Sequence, residues 1–149
     1  RVVSKDRIGT PGNFMLWHDL KESWTMQAWD DKAGRWQTAS WHSHDVGNGR
    51  WHLLTGVVDS SRKKVSLFVD GQQKAESPWT ADSLDDSDGN DLVVGADSNN
   101  QQFGHAFVGM IHDVHLYPRA LTADEIKDLF STSAPTIKKT FSQLDFNRP

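Results

Sequence analysis

Cysteine is absent from this 149-residue chain. That excludes disulfides, thiolate metal sites and thiol nucleophiles, and leaves the compartment open. Glutamate is scarce: Glu22, Glu76 and Glu125 are the full set. Tyrosine occurs once, against seven Trp and seven Phe. No block of basic residues stands out beyond Arg62-Lys63-Lys64, and the formal net charge is −4. A nucleic-acid partner is therefore not expected. No apolar run approaches the ~20 residues of a membrane-spanning helix, so membrane insertion is not expected either.

What is present is a sparse but aromatic apolar set. Hydrophobic residues make up 36% and mean hydropathy is −0.62, so the core has to draw on the large area each Trp and Phe buries. The length suits one domain. Strand-like runs cover residues 2–4, 14–18, 23–29, 35–41, 51–58, 65–69, 72–76, 92–94 and 107–117, each bounded by Gly, Asn, Asp or Ser. Turn signals about every 8–12 residues predict an all-β sandwich or barrel. Residues 51–58 are apolar on both faces, as in a strand covered from both sides. Trp51, Leu53, Thr55 and Val57 share one face, which is read as the core face. Asp70-Gly71 supplies the positive-φ pair of a two-residue hairpin. Gly109 marks a bulge or a close backbone approach in the last long strand. Residues 77–91 and 96–106 read as long polar loops.

One helix is predicted after Pro118. Thr122 and Glu125 form a capping box, Leu121 and Ile126 a hydrophobic staple, and Ile126, Leu129 and Phe130 the apolar stripe. The helix is expected to be short. Ser-Thr-Ser-Ala-Pro at 131–135 reads as a linker. The domain is accordingly drawn at 1–131. Residues 132–149 form a tail, either an added strand or the start of another unit.

The order of motifs carries a resemblance. Val-Val-Ser-Lys-Asp (2–6) is followed by Gly-Arg-Trp-His-Leu-Leu-Thr-Gly-Val-Val-Asp (49–59). Then come Val-Ser-Leu-Phe-Val-Asp-Gly (65–71), Leu-Val-Val-Gly-Ala (92–96), and the run from Phe107 through Leu-Tyr-Pro-Arg-Ala-Leu-Thr-Ala-Asp-Glu-Ile (116–126). This succession resembles the laminin-G-like (LamG) jelly rolls of the concanavalin A-like lectin/glucanase superfamily. The resemblance implies an antiparallel β-sandwich of jelly-roll type with one short C-terminal helix, in a secreted or cell-surface protein. It also implies strands ahead of residue 2 that this sequence lacks. Those strands are expected from other domains or from a companion chain, and the chain is read as a piece of something larger.

Three site chemistries follow. Carbohydrate binding needs aromatic rings for the C–H faces of sugars and placed hydrogen bonders for the hydroxyls. The candidates are Trp17, Trp29, Trp41, Trp79 and Phe103, with His42, Asn99, Asn100 and Gln102. Further polar neighbours are His18, Asp30, Gln37 and His44, and Trp79 behind Pro78 is the leading exposed ring. Trp24, Trp36 and Trp51 are read as core. Trp36 and Trp41 must point to opposite faces of their strand.

Calcium needs clustered oxygen ligands. Asp85, Asp86 and Asp88 crowd one loop but fail the EF-hand template, because Asp91 stands where Gly is required and no Glu closes the run. The resemblance implies a structural Ca²⁺ with Asp113 as a ligand. Zinc has only His42-x-His44, with no third ligand evident.

Catalysis finds little support. Glycosidases need a carboxylate pair at a defined separation. The superfamily's Glu-x-Asp-x-x-Glu type of run is missing, and Glu125 is committed to the cap. The chain is read as a non-catalytic, lectin-like carbohydrate-binding module taking a glycan or polysaccharide, attached to a glycoside hydrolase or related enzyme. Two alternatives stand beside it. One is a protein-interaction, adhesion or spacer domain. The other is a part of a two-chain enzyme whose carboxylates lie outside this chain.

Overall fold

The computed structural model describes residues 1–5, 13–19, 23–43, 49–84, 89, 91–99 and 102–143. Ten strands and one helix appear among them, in the order β1 (Val3–Lys5), β2 (Phe14–His18), β3 (Ser23–Asp30), β4 (Arg35–His42), β5 (Leu54–Asp59), β6 (Lys64–Val69), β7 (Gln72–Pro78), β8 (Val93–Val94), β9 (Asp97–Asn99), β10 (Gln102–Gly104) and α1 (Ala123–Gln143). Pairing is antiparallel throughout. One sheet has five strands in the order β4-β3-β2-β1-β8, a second has β5-β6-β7, and β9 and β10 form a small hairpin. The expected all-β sandwich is the observed architecture.

Period-two alternation decides which side chains enter the space between the sheets. Leu16, Trp24, Met26, Ala28 and Ala39 come from the five-stranded sheet, and Val65, Leu67 and Val69 from the three-stranded one. Gly56 marks a close approach between them. A Cβ built on it would lie 2.3 Å from the Met26 sulfur, so the backbone of β5 comes close to β3 only because no side chain intervenes.

Strand β5 is indeed apolar on both faces, but the assignment of its faces is corrected. Leu54 and Val58 pack on the inter-sheet core, whereas Val57 joins Phe68, Leu121 and Ile126 beneath the helix. Trp51 and Leu53 precede β5 and are half-buried. The reason is a third layer: α1 covers the outer face of the three-stranded sheet, so both parities of β5 find apolar cover.

The hairpin turn behaves as its residues require. Asp70 (φ 52°) and Gly71 (φ 76°) connect the paired Val69 and Gln72. The Asp70 carboxylate accepts the Leu53 amide at 2.9 Å and meets His52 Nδ1 at 2.9 Å. The helix lies against this turn, for a Cβ on Gly71 would sit 3.2 Å from the Lys127 Cα.

The capping box forms as read. The Thr122 amide donates to Glu125 Oε2 at 2.8 Å, and the Glu125 amide donates to Thr122 Oγ1 at 3.3 Å. Arg119 clamps the same carboxylate with both Nη atoms, at 2.9 and 2.6 Å. Leu121 and Ile126, the staple pair, are both buried.

Three sequence expectations are corrected here. Residues 131–135, read as a linker, continue the helix, which runs unbroken to Gln143. Hydroxyls there bond back to the preceding turn, Ser131 to the Lys127 carbonyl and Thr132 to that of Asp128. Residues 107–117, read as the last long strand, pair with no strand among the described residues. The Phe107 amide donates to the Gly95 carbonyl at 2.7 Å, and beyond that point Val108, Met110, Val114, Leu116 and Tyr117 are exposed, while Ile111 is half-buried. A β pattern without a neighbouring edge has nothing to receive its backbone hydrogen bonds. Gly109 does mark a close approach, since a Cβ there would meet the Phe107 ring at 2.7 Å. Last, residues 96–106, read as a loop, hold the β9–β10 hairpin.

Candidate functional site

The face of β2, β3 and β4 turned away from the second sheet carries three rows of side chains. Register sets them. Trp17, Thr25 and Ser40 form one row, Met15, Gln27 and Thr38 the next, and Trp29 and Trp36 the third. Each residue belongs to the parity opposite the core set Leu16, Trp24, Met26, Ala28 and Ala39. Thr38 and Ser40 are exposed, and Trp17, Gln27, Trp29 and Trp36 are half-buried.

Hydrogen bonds lace the rows into a fixed surface. Trp17 Nε1 donates to Gln27 Oε1 at 3.2 Å, and Gln27 Nε2 donates to Thr38 Oγ1 at 2.8 Å. The bonds run across three strands, so the amide of Gln27 is held at both ends. One row away, the Thr25 and Ser40 hydroxyls lie 2.8 Å apart. Trp29 and Trp36 meet edge to face, with centroids 5.7 Å apart and an interplanar angle of 74°, a favoured aromatic arrangement. Arg1 places its guanidinium 4.9 Å over the Trp17 ring and reaches Asp97 at 3.3 Å. The eight residues of the three rows include no carboxylate and no lysine or arginine. Met15 and Thr25 are buried, so the surface is formed by Trp17, Gln27, Trp29, Trp36, Thr38 and Ser40, uncharged themselves, with the Arg1 guanidinium lying against Trp17 and paired with Asp97.

The sequence candidates fare unequally against this geometry. Trp17 and Trp29 lie on the face, and His42 is exposed at its rim, opposite Ser23. Trp41 does not share it. Its ring packs against the inter-sheet core and carries Lys74 Nζ 5.0 Å above it.

Trp79, read as the leading exposed ring, is 1% exposed and belongs to the core. The cause is a neighbour distant in sequence. Asp30 captures Thr80 through the backbone amide at 2.6 Å and the hydroxyl at 2.8 Å, which turns residue 79 inward. Asp30 and Gln37, expected as polar neighbours of a sugar, are buried in that same knot. Burial pushes the Asp30 carboxyl up, but hydrogen bonds from Ala33, Thr80 and Gln37 outweigh it and hold the group below its ordinary value. His18 packs on Trp24, with ring centroids 4.9 Å apart.

Phe103, Asn99 and Gln102 sit in the β9–β10 hairpin, where Gln102 faces Asn99 and Phe103 faces Ser98 in register; their side chains lie outside the described residues. Asn100, His44, Asp85, Asp86 and Asp88 lie outside the described residues altogether.

Metal binding gains no support from the residues in view. Asp113 is exposed and pairs with its neighbour, His112 Nδ1 to Asp113 Oδ2 at 2.9 Å. Among the described residues no three His, Asp or Glu side chains converge.

Gln27, Thr38, Thr25 and Ser40 were missed in the sequence, and Trp36 was read as core. Their signal was parity. Gln27 and Trp29 alternate with buried neighbours along β3, as Trp36, Thr38 and Ser40 do along β4, whereas Thr25 shares their parity but is itself buried. What the parity alone lacks is the register that lines them up.

Among the described residues no helix is long and apolar enough to cross a membrane. No curated protein matches the chain. Among solved structures, the chain is similar to an S-layer domain-containing protein from Clostridium thermocellum, at 18% identity with a TM-score of 0.42. That match covers 84% of this chain and 66% of the other, just under two thirds of its length. The family model Laminin_G_3 matches residues 2–127, nearly the whole described sandwich. The chain therefore belongs to the concanavalin A-like lectin/glucanase superfamily.

Proposed function

We propose that the chain is a non-catalytic carbohydrate-binding module of a secreted or surface protein, and that the open face of β2–β4 is its sugar platform. The observation that carries this reading is the ladder Trp17–Gln27–Thr38, an indole, an amide and a hydroxyl joined across three strands. Sugars present a C–H face and a fringe of hydroxyls, and the ladder offers an aromatic surface beside amide and hydroxyl groups. The absence of a carboxylate from the three rows suits binding over hydrolysis, which requires an acid–base pair. Affinity electrophoresis through neutral and acidic polysaccharides tests it, with wild type beside Thr38→Ala and Trp17→Ala. Retention of the wild type that weakens in both variants supports the platform. No retardation by any polysaccharide removes the reading.

A second reading, a protein-interaction module, draws on a different feature. Leu92, Val94, Val108, Met110, Val114, Leu116 and Tyr117 are exposed, Val108 to 97%. An apolar stretch of this kind suits burial against polypeptide. A companion segment that adds a strand along residues 107–117 would cover it. Hydrogen exchange across 107–117 in the native protein tests this, and amides that stay unprotected there argue against it.

A further inference from the structure

The aromatic rings of the platform are spread out. Trp17 stands opposite Thr25, while Trp29 stands four residues farther along β3, opposite Trp36. Four residues of strand span ~13 Å. A single pyranose covers one such ring and cannot reach the other. Between the two aromatic ends lie Gln27 and Thr38.

Their hydrogen-bonding capacity is only part used. Gln27 accepts from Trp17 and donates to Thr38. A primary amide has two N–H donors and two acceptor lone pairs, and a hydroxyl has a proton to give. The row therefore still offers an N–H, a carbonyl lone pair and the Thr38 hydroxyl proton toward solvent. Sugar hydroxyls, which both give and accept, match that set. Because Gln27 is tethered at both ends on a hydrogen-bonded sheet, little ordering remains to be done when a ligand binds.

Resting on the carbohydrate-binding reading above, we propose that the face selects for chain length. It takes linear, uncharged oligosaccharides laid along β3, of roughly three residues or more given the ~13 Å span. One sugar stacks at Trp17 in place of the Arg1 guanidinium that lies over that ring, another at the Trp29–Trp36 pair, and those between bond to Gln27 and Thr38. A monosaccharide engages one end only.

Calorimetric titration of the intact chain tests this in two stages. Cellulose, xylan, mixed-linkage glucan and mannan, with alginate as an acidic comparison, identify a retained polymer. Fragments of one to six residues cut from that polymer are then titrated. The expected result is a Kd that falls at least about tenfold, the equivalent of one well-made contact, between one residue and four, and then levels. In a Trp29→Ala/Trp36→Ala variant that keeps the wild-type melting temperature, the gain with length disappears. Trp29→Phe/Trp36→Phe, which retains stacking rings, restores most of it and covers the case in which the alanine variant does not fold. Equal binding of one and six residues overturns length selection and leaves the platform reading standing. A preference for alginate overturns the requirement for an uncharged chain. If no polymer is retained by the wild type, platform and length selection fall together.

Discussion

The Asp30 carboxylate accepts the Thr80 backbone amide at 2.6 Å across 50 residues of sequence. Asp30 ends β3 and Thr80 follows β7, so one buried carboxylate ties the two sheets together. Asp30 also holds the Ala33 amide at 3.0 Å and the Gln37 side chain at 3.4 Å. Asp30→Ala leaves two backbone amides without their acceptor, and such losses cost about 3 kcal/mol in sum. Asp30→Asn keeps the shape and is expected to lose less. Urea unfolding measures both, and an unchanged midpoint for Asp30→Ala would show the tie to be dispensable.

Acid should weaken the fold over a defined range. The carboxyls of Asp30 and Asp70 are held below their ordinary value of 3.8. At Asp70 burial raises the carboxyl, and bonds from His52 and Leu53 more than reverse this. Glu125, gripped by Arg119 and the Thr122 amide, falls from 4.5 to about 2. A carboxyl with a depressed folded pKa contributes stability that is complete above its unfolded pKa and is lost as pH falls through the folded one. Melting temperature should therefore hold between about pH 7 and 5, then drop through the window below about 4.5 down to about 2. Thermal melts across that range check it, and a decline already complete by pH 5 would contradict the assignment.

Gly56 and Met26 should prove coupled. No positive φ constrains Gly56; the restriction is the Met26 sulfur 2.3 Å from where a Cβ would stand. Gly56→Ala overpacks the core and is expected to cost about 2 kcal/mol. Adding Met26→Ala makes room, so the double variant should lose less than the sum of the single losses. Strict additivity in a double-mutant cycle would place the strain elsewhere.

Trp79 and Trp17 should separate stability from binding. Trp79→Ala empties a buried site and is expected to lower stability by about 3–5 kcal/mol. Any effect on glycan retention should then track the unfolded fraction. Trp17→Ala, on the open face, should weaken retention with a much smaller change in melting temperature. A folded Trp79→Ala variant that fails to bind while Trp17→Ala binds normally would reverse the assignment of the two rings.

Local signals were legible where neighbours in sequence are neighbours in space. The Asp70-Gly71 turn, the capping box and staple of α1, and the alternation of β3 all depend on contacts within a few residues, and each was read correctly. The motif order from Val2 to Ile126 was enough to indicate the superfamily. Expectations failed where the deciding partner is far along the chain. Residues 107–117 alternate like a strand, yet a strand is defined by the edge beside it. Trp79 sits in a polar stretch behind Pro78, yet Asp30, a third of the chain away, draws it inward.

The sequence by itself determined the class of the fold, the parity of each strand and the lack of thiol chemistry and of a glutamate-rich catalytic run. Tertiary structure alone decided which parity of each strand is covered. The second sheet buries Trp24, Met26 and Ala28 on one side of β3 and leaves Gln27 and Trp29 half-open on the other. Register then brought Trp17, Gln27 and Thr38 into one hydrogen-bonded line. The physical reason is that a period-two pattern sorts side chains into two faces, while cover and alignment come from strands that lie elsewhere in the sequence.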